Sequence, residues 1–179
     1  MSYLKTMLAV FFVLIGSNVF TQTKRLDVPY VPTDQVVVDA MLDLAGIKAG
    51  DVHFDLGCGD GRIVISAAKR GAAEATGIDL DPERIKEANA NAVKAGVADK
   101  VTFIEGDLFD FDFSKADVLT LYLLSSVNLK LRPKILEELK PGTRVVSHAF
   151  GMGDWKPEKE VNVGGTTIYL WTVPERGKK

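Results

Sequence analysis

The stretch Val52-His53-Phe54-Asp55-Leu56-Gly57-Cys58-Gly59-Asp60-Gly61-Arg62 decides the fold. An apolar run ends in an acid and passes into three glycines at alternate positions. Ile63-Val64-Ile65-Ser66-Ala67-Ala68-Lys69-Arg70 follows with a helical pattern. The order is strand, glycine turn, helix. Glycine accepts positive φ and places no Cβ between backbone and ligand, so such a turn can pass close beneath a nucleoside. The helix behind it offers unpaired N–H groups. A dinucleotide fingerprint G-x-G-x-x-G begun at Gly57 needs a glycine where Arg62 stands. The pattern is instead D-x-G-x-G-x-G, with Asp55 ahead of the glycines and Asp60 among them. A carboxylate on this turn repels a pyrophosphate but can accept hydrogen bonds from a ligand's amine or hydroxyls.

The next two strands repeat the acidic ending. Ala75-Thr76-Gly77-Ile78-Asp79 reads as a short buried strand, and Asp79, followed by Leu80, lies 20 residues beyond Gly59. In nucleoside-binding βαβ units an acid at that distance bonds the ribose hydroxyls. Asp81-Pro82-Glu83 opens a helix, with Asp81 as N-cap and Glu83 at the positive dipole end. Ile85, Ala88, Ala92, Val93 and Ala95 give that helix an inner face. Val101-Thr102-Phe103-Ile104-Glu105 is a third strand, leading into Gly106-Asp107-Leu108. Asp107 is either a plain turn aspartate or an acceptor for an adenine amine with Leu108 on the ring. Three successive strands ending in acids at one rim favour the second reading.

Ahead of the glycine turn, Val28-Pro29-Tyr30-Val31-Pro32-Thr33-Asp34 is an extended, proline-stiffened lead-in. Thr33 or Asp34 can cap a helix over Val36–Ala45 that buries Val37, Val38, Met41, Leu42 and Ala45 and ends at Gly46. Tyr30 and Thr33 read either as staple and cap or as a lid over the ligand. Downstream, residues 117–122 form a fourth strand, 129–139 a helix and 143–148 a fifth strand. Gly151-Met152-Gly153-Asp154-Trp155-Lys156-Pro157 is a glycine-hinged loop. Residues 160–163, Gly164-Gly165 and residues 166–173 carry a hairpin signature. Alternating strands and helices with a terminal hairpin give a mixed, mainly parallel α/β sheet.

A chain of 179 residues, 46% apolar and 26% charged, fits one domain with a real core. A net charge of −2 gives no nucleic-acid footprint, and no nucleic-acid partner is expected. Cys58 is the only cysteine, so no intrachain disulfide can form. Residues 1–21 carry Lys5, then the apolar run Met7–Ile15, then a small and polar exit. This reads as a signal peptide, or as an uncleaved anchor over residues 7–20, and places the protein outside the cytoplasm or on a membrane. The remaining domain spans residues 24–179.

Tyr30-Val31-Pro32-Thr33 ahead of Asp55-Leu56-Gly57-Cys58-Gly59-Asp60-Gly61-Arg62 resembles the class I S-adenosylmethionine (SAM) methyltransferases. More narrowly, with Ser125–Asn128 and Gly153-Asp154-Trp155, it is similar to the branch of small prokaryotic enzymes related to two mitochondrial lysine methyltransferases. Those two modify ATP synthase subunit c and the adenine nucleotide carrier. The resemblance implies a Rossmann-like seven-stranded sheet, helices on both faces, and a last strand inserted antiparallel. It implies SAM as cofactor, with Asp55, Gly57 and Gly59 at its amino-acid end and Cys58, Gly61 and Leu80 among the residues that bind it. Asp79 would bind the ribose, Asp107 and Leu108 the adenine, and Tyr30 and Thr33 would close over the methyl.

The acceptor implied is a protein lysine, of a membrane or envelope protein among others. A small-molecule or lipid-like acceptor, or SAM binding without catalysis, are the alternatives. The Asn-Pro-Pro-Tyr motif of base and glutamine methyltransferases is missing where Leu121-Tyr122-Leu123-Leu124 stands. Tyr122, His148 and Trp155, with Tyr30, are the candidates for the acceptor pocket.

Overall fold

Each strand–helix unit of the sequence builds one layer step of a seven-stranded sheet. The structure, a computed structural model, describes residues 30–177. The elements in order are α1 (Gln35–Ala45), β1 (Val52–Leu56), α2 (Arg62–Lys69), β2 (Glu74–Asp79), α3 (Pro82–Ala95) and β3 (Val101–Glu105). Then come β4 (Val118–Leu121), α4 (Ser125–Glu138), β5 (Arg144–His148), β6 (Lys159–Val163) and β7 (Thr166–Thr172). The strand order is β3-β2-β1-β4-β5-β7-β6. The pairs among β1 to β5 are parallel, and β7 runs antiparallel to both β5 and β6. The order reverses at β1, so β1 and β4 diverge around the switch point where ligands of such sheets bind.

Period-two alternation splits the core between the two faces. Val118 and Val146 join α1 and α2 in one apolar cluster. Phe54, Leu56, Leu119, Leu121 and Val145 join Leu131 and Ile135 of α4 in the other. Both faces of the central strands are therefore covered, as a parallel sheet requires. Among the described residues Trp171, Phe54 and Phe113 are the largest side chains fully enclosed.

The helix signals are met unevenly. α1 buries the five residues expected and ends at Gly46 in the left-handed region. Its N-cap position is Asp34, but no side chain caps it. The Asp34 carbonyl instead takes the N–H groups of Val37 and Val38, and the Thr33 hydroxyl turns away to His148. Asp81 does cap α3, accepting from Glu83 N at 2.9 Å. Val93, expected inside, is 67% exposed: the buried face of α3 runs through Ala88 and Ala92, four positions apart, and Val93 falls one step round the helix from it. α4 begins at Ser125, ahead of the expected Leu129, because the Leu124 carbonyl accepts from Val127 and Asn128. Pro133 lies inside it.

The exported or membrane-anchored placement is corrected. No helix among the described residues is long and apolar enough to cross a membrane. Residues 7–20, on which that placement rested, lie outside the described residues, and their apolar run is short of the roughly twenty residues a span needs. The signal peptide expected over residues 1–21 lies there too.

Candidate functional site

The C-terminal ends of β1, β2 and β4 and the loop after β3 open into one cleft of about 920 Å³ including its mouth. Its floor is the glycine turn. Gly57 and Gly59 have φ of 79° and 53°. A Cβ on Gly57 would stand 2.8 Å from Leu123 Cδ2, and one on Gly59 would stand 2.5 Å from Tyr30 Cε2. Both positions thus need glycine for backbone angle and for closeness. Gly57 N and Cys58 N donate to the Ile78 carbonyl, tying the turn to the end of β2.

The three rim acids all line this cleft. Asp79 Oδ2 accepts from Gly59 N at 2.9 Å and Oδ1 from Asp81 N at 3.0 Å, so backbone fixes the carboxylate while leaving lone pairs free. Asp107 Oδ1 accepts from Phe109 N at 3.0 Å. Asp55 is 2% exposed, and burial raises its pKa from 3.8 to about 7, against the Thr120 hydrogen bond and with help from Asp79 and Asp60. Leu80 and Leu108 supply apolar lining beside Asp79 and Asp107.

The lead-in folds over the turn. Tyr30, Pro32 and Thr33 line the cleft. Arg62 holds this segment, donating from Nη1 to the Thr33 carbonyl at 2.7 Å. The same guanidinium grips Asp60 through Nε and Nη2, at 2.9 and 2.6 Å. Burial pushes Asp60 up, but Arg62 outweighs it and holds Asp60 below the ordinary carboxylate value. Arg84 lies 4.6 Å from the Tyr30 ring centroid, a cation–π contact that sets the ring over Gly59. Arg62, Asp60 and Arg84 also line the cleft and were not expected there as a set. The signal available was Arg62 in place of the dinucleotide glycine.

Three expected residues stand outside the cleft lining. Gly61 is a packing glycine: its φ is 79°, and a Cβ would meet Phe103 Cζ at 2.6 Å and Ala88 Cβ at 2.9 Å. Trp155 packs at 5.8 Å on Trp171, whose Nε1 donates to the Trp155 carbonyl at 2.8 Å. It is thus drawn, partly buried, against the edge of the core. His148 lies behind the lining, stacked 3.8 Å from Tyr122, which does line the cleft. His148 Nδ1 is 3.2 Å from Thr33 Oγ1, so the histidine joins the lead-in to the Tyr122 wall. Burial lowers its pKa, with Asp34 opposing, which keeps the ring neutral.

Beyond His148 the chain turns sharply. Phe150 N donates to the His148 carbonyl at 2.8 Å across Ala149, whose φ is 63°. Buried Asn128 braces this turn, donating to the Phe150 carbonyl at 3.1 Å.

A glycine cradle without Cβ atoms, three rim acids and adjoining apolar lining fit a cationic nucleoside with an amino-acid tail. Fold and cleft define a SAM-dependent methyltransferase. A family model, described as the ANTKMT methyltransferase domain, matches residues 55–159. The chain belongs to that family. It is 46% identical to a protein-lysine N-methyltransferase of Saccharolobus islandicus, over 83% of this chain and 95% of that one. It is 33% identical to the adenine nucleotide translocase lysine N-methyltransferase of Mus musculus, over 86% of this chain and 66% of that enzyme. A crystal structure of an RNA methyltransferase from Salinibacter ruber, in complex with S-adenosyl-L-homocysteine, shares 55% identity. It superposes with a TM-score of 0.80 and covers 83% of this chain and 97% of its own.

Proposed function

We propose that the enzyme methylates a lysine amine of a protein, with residues 24–179 as its methyltransferase domain. The observation that carries this reading is that uncharged Pro32, Thr33, Tyr122 and Leu123 line the cleft, with Thr33 and Tyr122 joined into one wall through His148. An ammonium entering there leaves water without meeting a carboxylate on that wall, which favours its neutral, nucleophilic form. The lysine-modifying relatives support the same acceptor.

When bound, SAM supplies a sulfonium-activated methyl for in-line displacement. Asp55, Gly57 and Gly59 would hold its amino-acid end, Asp79 the ribose hydroxyls, and Asp107 with Leu108 the adenine. Tyr122, backed by His148, would align the acceptor's alkyl arm, and Tyr30 and Thr33 would exclude water above it. Alignment of nucleophile and methyl carries most of such a rate, up to roughly 7–11 kcal/mol. A dedicated base is therefore not required.

RNA is the second reading, favoured by the name of the Salinibacter ruber relative. Against it stand the net charge of −2 and the use of Lys130 and Lys134 over the rings of Phe109 and Phe113. Transfer of tritiated methyl to cell fractions decides. Counts sensitive to protease and retained after ribonuclease are expected. Counts lost to ribonuclease would replace lysine with RNA, and extractable counts would mean a small acceptor.

A further inference from the structure

A polar chain runs beneath the acid that opens the glycine turn. His53 and Asp55 alternate on β1 with Phe54 and Leu56, and Thr120 alternates on β4 with Leu119 and Leu121, so the three share one face. Asp55 and Thr120 are register partners on the paired strands. Thr120 Oγ1 donates to Asp55 Oδ1 at 2.7 Å, and His53 Nε2 lies 2.9 Å from Thr120 Oγ1. None of the three is more than 2% exposed.

Counting protons orients the chain. A hydroxyl has one hydrogen; when Asp55 takes it, the Thr120 oxygen can only accept, and His53 must present Nε2–H. The other ring nitrogen is then a bare lone pair. His53 Nδ1 is a buried atom without a hydrogen-bond partner. The reverse tautomer would put an N–H there, and a buried donor without an acceptor is the rarer state. It would also free the Thr120 hydrogen to turn towards His53, and away from Asp55. The Phe54 carbonyl, at 3.4 Å, is the competing acceptor that the short bond to Asp55 outdoes.

We propose that His53 and Thr120 are positioning residues that hold Asp55 as an ionised acceptor for the ammonium of the bound cofactor. This rests on the cofactor reading of the cleft and deepens it. The groups facing Asp55 are Asp79 from β2, and Asp60 and Cys58 from the turn, with Arg62 neutralising Asp60. Burial and the two acids all favour the protonated form, and the Thr120 hydrogen bond opposes them. His53 adds no charge of its own, since burial, against Asp51, takes its pKa to about 3.

The test is calorimetric affinity for S-adenosylhomocysteine, whose amine is the same, from about pH 6 to 9. Removing the Thr120 donor should move the midpoint of the pH profile upward by about one unit, which is a tenfold loss on the acid side. Thr120→Val is therefore expected to bind about tenfold more weakly near pH 6 and within about twofold of wild type near pH 9. Thr120→Ser should keep the wild-type profile. His53→Leu should shift it partway, and His53→Gln, which keeps an amide donor, should restore it.

A Thr120→Val loss equal at every pH would overturn the proposal and leave packing alone. Nitrogen NMR of the wild-type His53 ring needs no variant. A neutral Nε2–H tautomer throughout supports the chain, and an Nδ1–H tautomer sinks it. Asp55→Asn separates the two layers of inference. If it leaves affinity unchanged at every pH, the placement of the cofactor amine at Asp55 fails, and not the relay alone.

Discussion

Asp55, near the end of β1, and Asp60, on the turn that follows, stand five positions apart, yet the molecule treats them oppositely. Asp55 is enclosed on β1 beside β4 with one hydroxyl for a partner, and it keeps its proton to about pH 7. Asp60 meets the fork of Arg62 and is held ionised below the ordinary value. The difference lies in burial and partner together: Asp55 is the more completely enclosed, and only Asp60 has a cation. A carboxylate answered inside the protein clamps structure. One left unanswered in a cleft is available to a cationic ligand.

Asp55→Asn should break this contrast most. The amide loses a charge-assisted bond to the ligand ammonium, so affinity for S-adenosylhomocysteine is expected to fall about a hundredfold by calorimetry. The ligand-free protein should move the other way. Its folded state holds the Asp55 proton to about 7 against 3.8 ordinarily, so the neutral carboxyl favours folding at low pH. That contribution is lost as pH rises through about 7. Near pH 8 the amide should therefore be more stable to urea than wild type, by about 1–4 kcal/mol. Reduced stability there would mean that Asp55 is not strained in the empty cleft.

Wild-type affinity should itself follow the Asp55 proton. Below about pH 7 the carboxyl must ionise before it can accept from the ligand, so affinity should weaken by up to about tenfold per unit. Binding near pH 6 should release a proton, visible as a dependence of the heat on buffer. A flat profile would remove Asp55 from the ligand's amine.

Arg62→Ala attacks the other member of the pair. Asp60 loses its cation and the Thr33 carbonyl its donor, so the lead-in loosens over the cleft. About a fivefold weaker affinity is expected, a fraction of what a fully buried pair would give, because Arg62 is partly exposed. Arg62→Lys should not restore it, since one ammonium cannot replace the fork that spans Asp60 and Thr33.

How much of this could be read from the chain follows the same division. The sheet, its order of elements and the rim acids were legible because each rests on local pattern: alternation, a glycine turn, an acid at a strand's end. Arg62 was visible only as a missing glycine, since its two partners lie before and inside the turn and meet only when the lead-in folds back. His148 and Trp155 share the chemistry of acceptor-pocket residues, but tertiary packing drew one behind Tyr122 and the other onto Trp171. Thr120 carried no motif at all. Its role depends on the register of β4 against β1, which no single stretch encodes.

The three glycines, alike in sequence, divide in the same way, and Gly61→Ala tests that division with the smallest effect on binding. Gly57 and Gly59 face the cleft, whereas the hydrogen of Gly61 faces Phe103 and Ala88 between α3 and β3. A methyl there must displace the Phe103 ring, and the residue must also hold a φ of 79°. Both effects fall on folding, so a loss of about 1–3 kcal/mol in urea unfolding is expected. Affinity measured on the folded fraction should stay within about twofold of wild type, because such strain reaches the ligand only if the turn shifts. A large loss of affinity without a loss of stability would return Gly61 to the cofactor's surface, and the turn would then have three ligand-facing glycines in place of two.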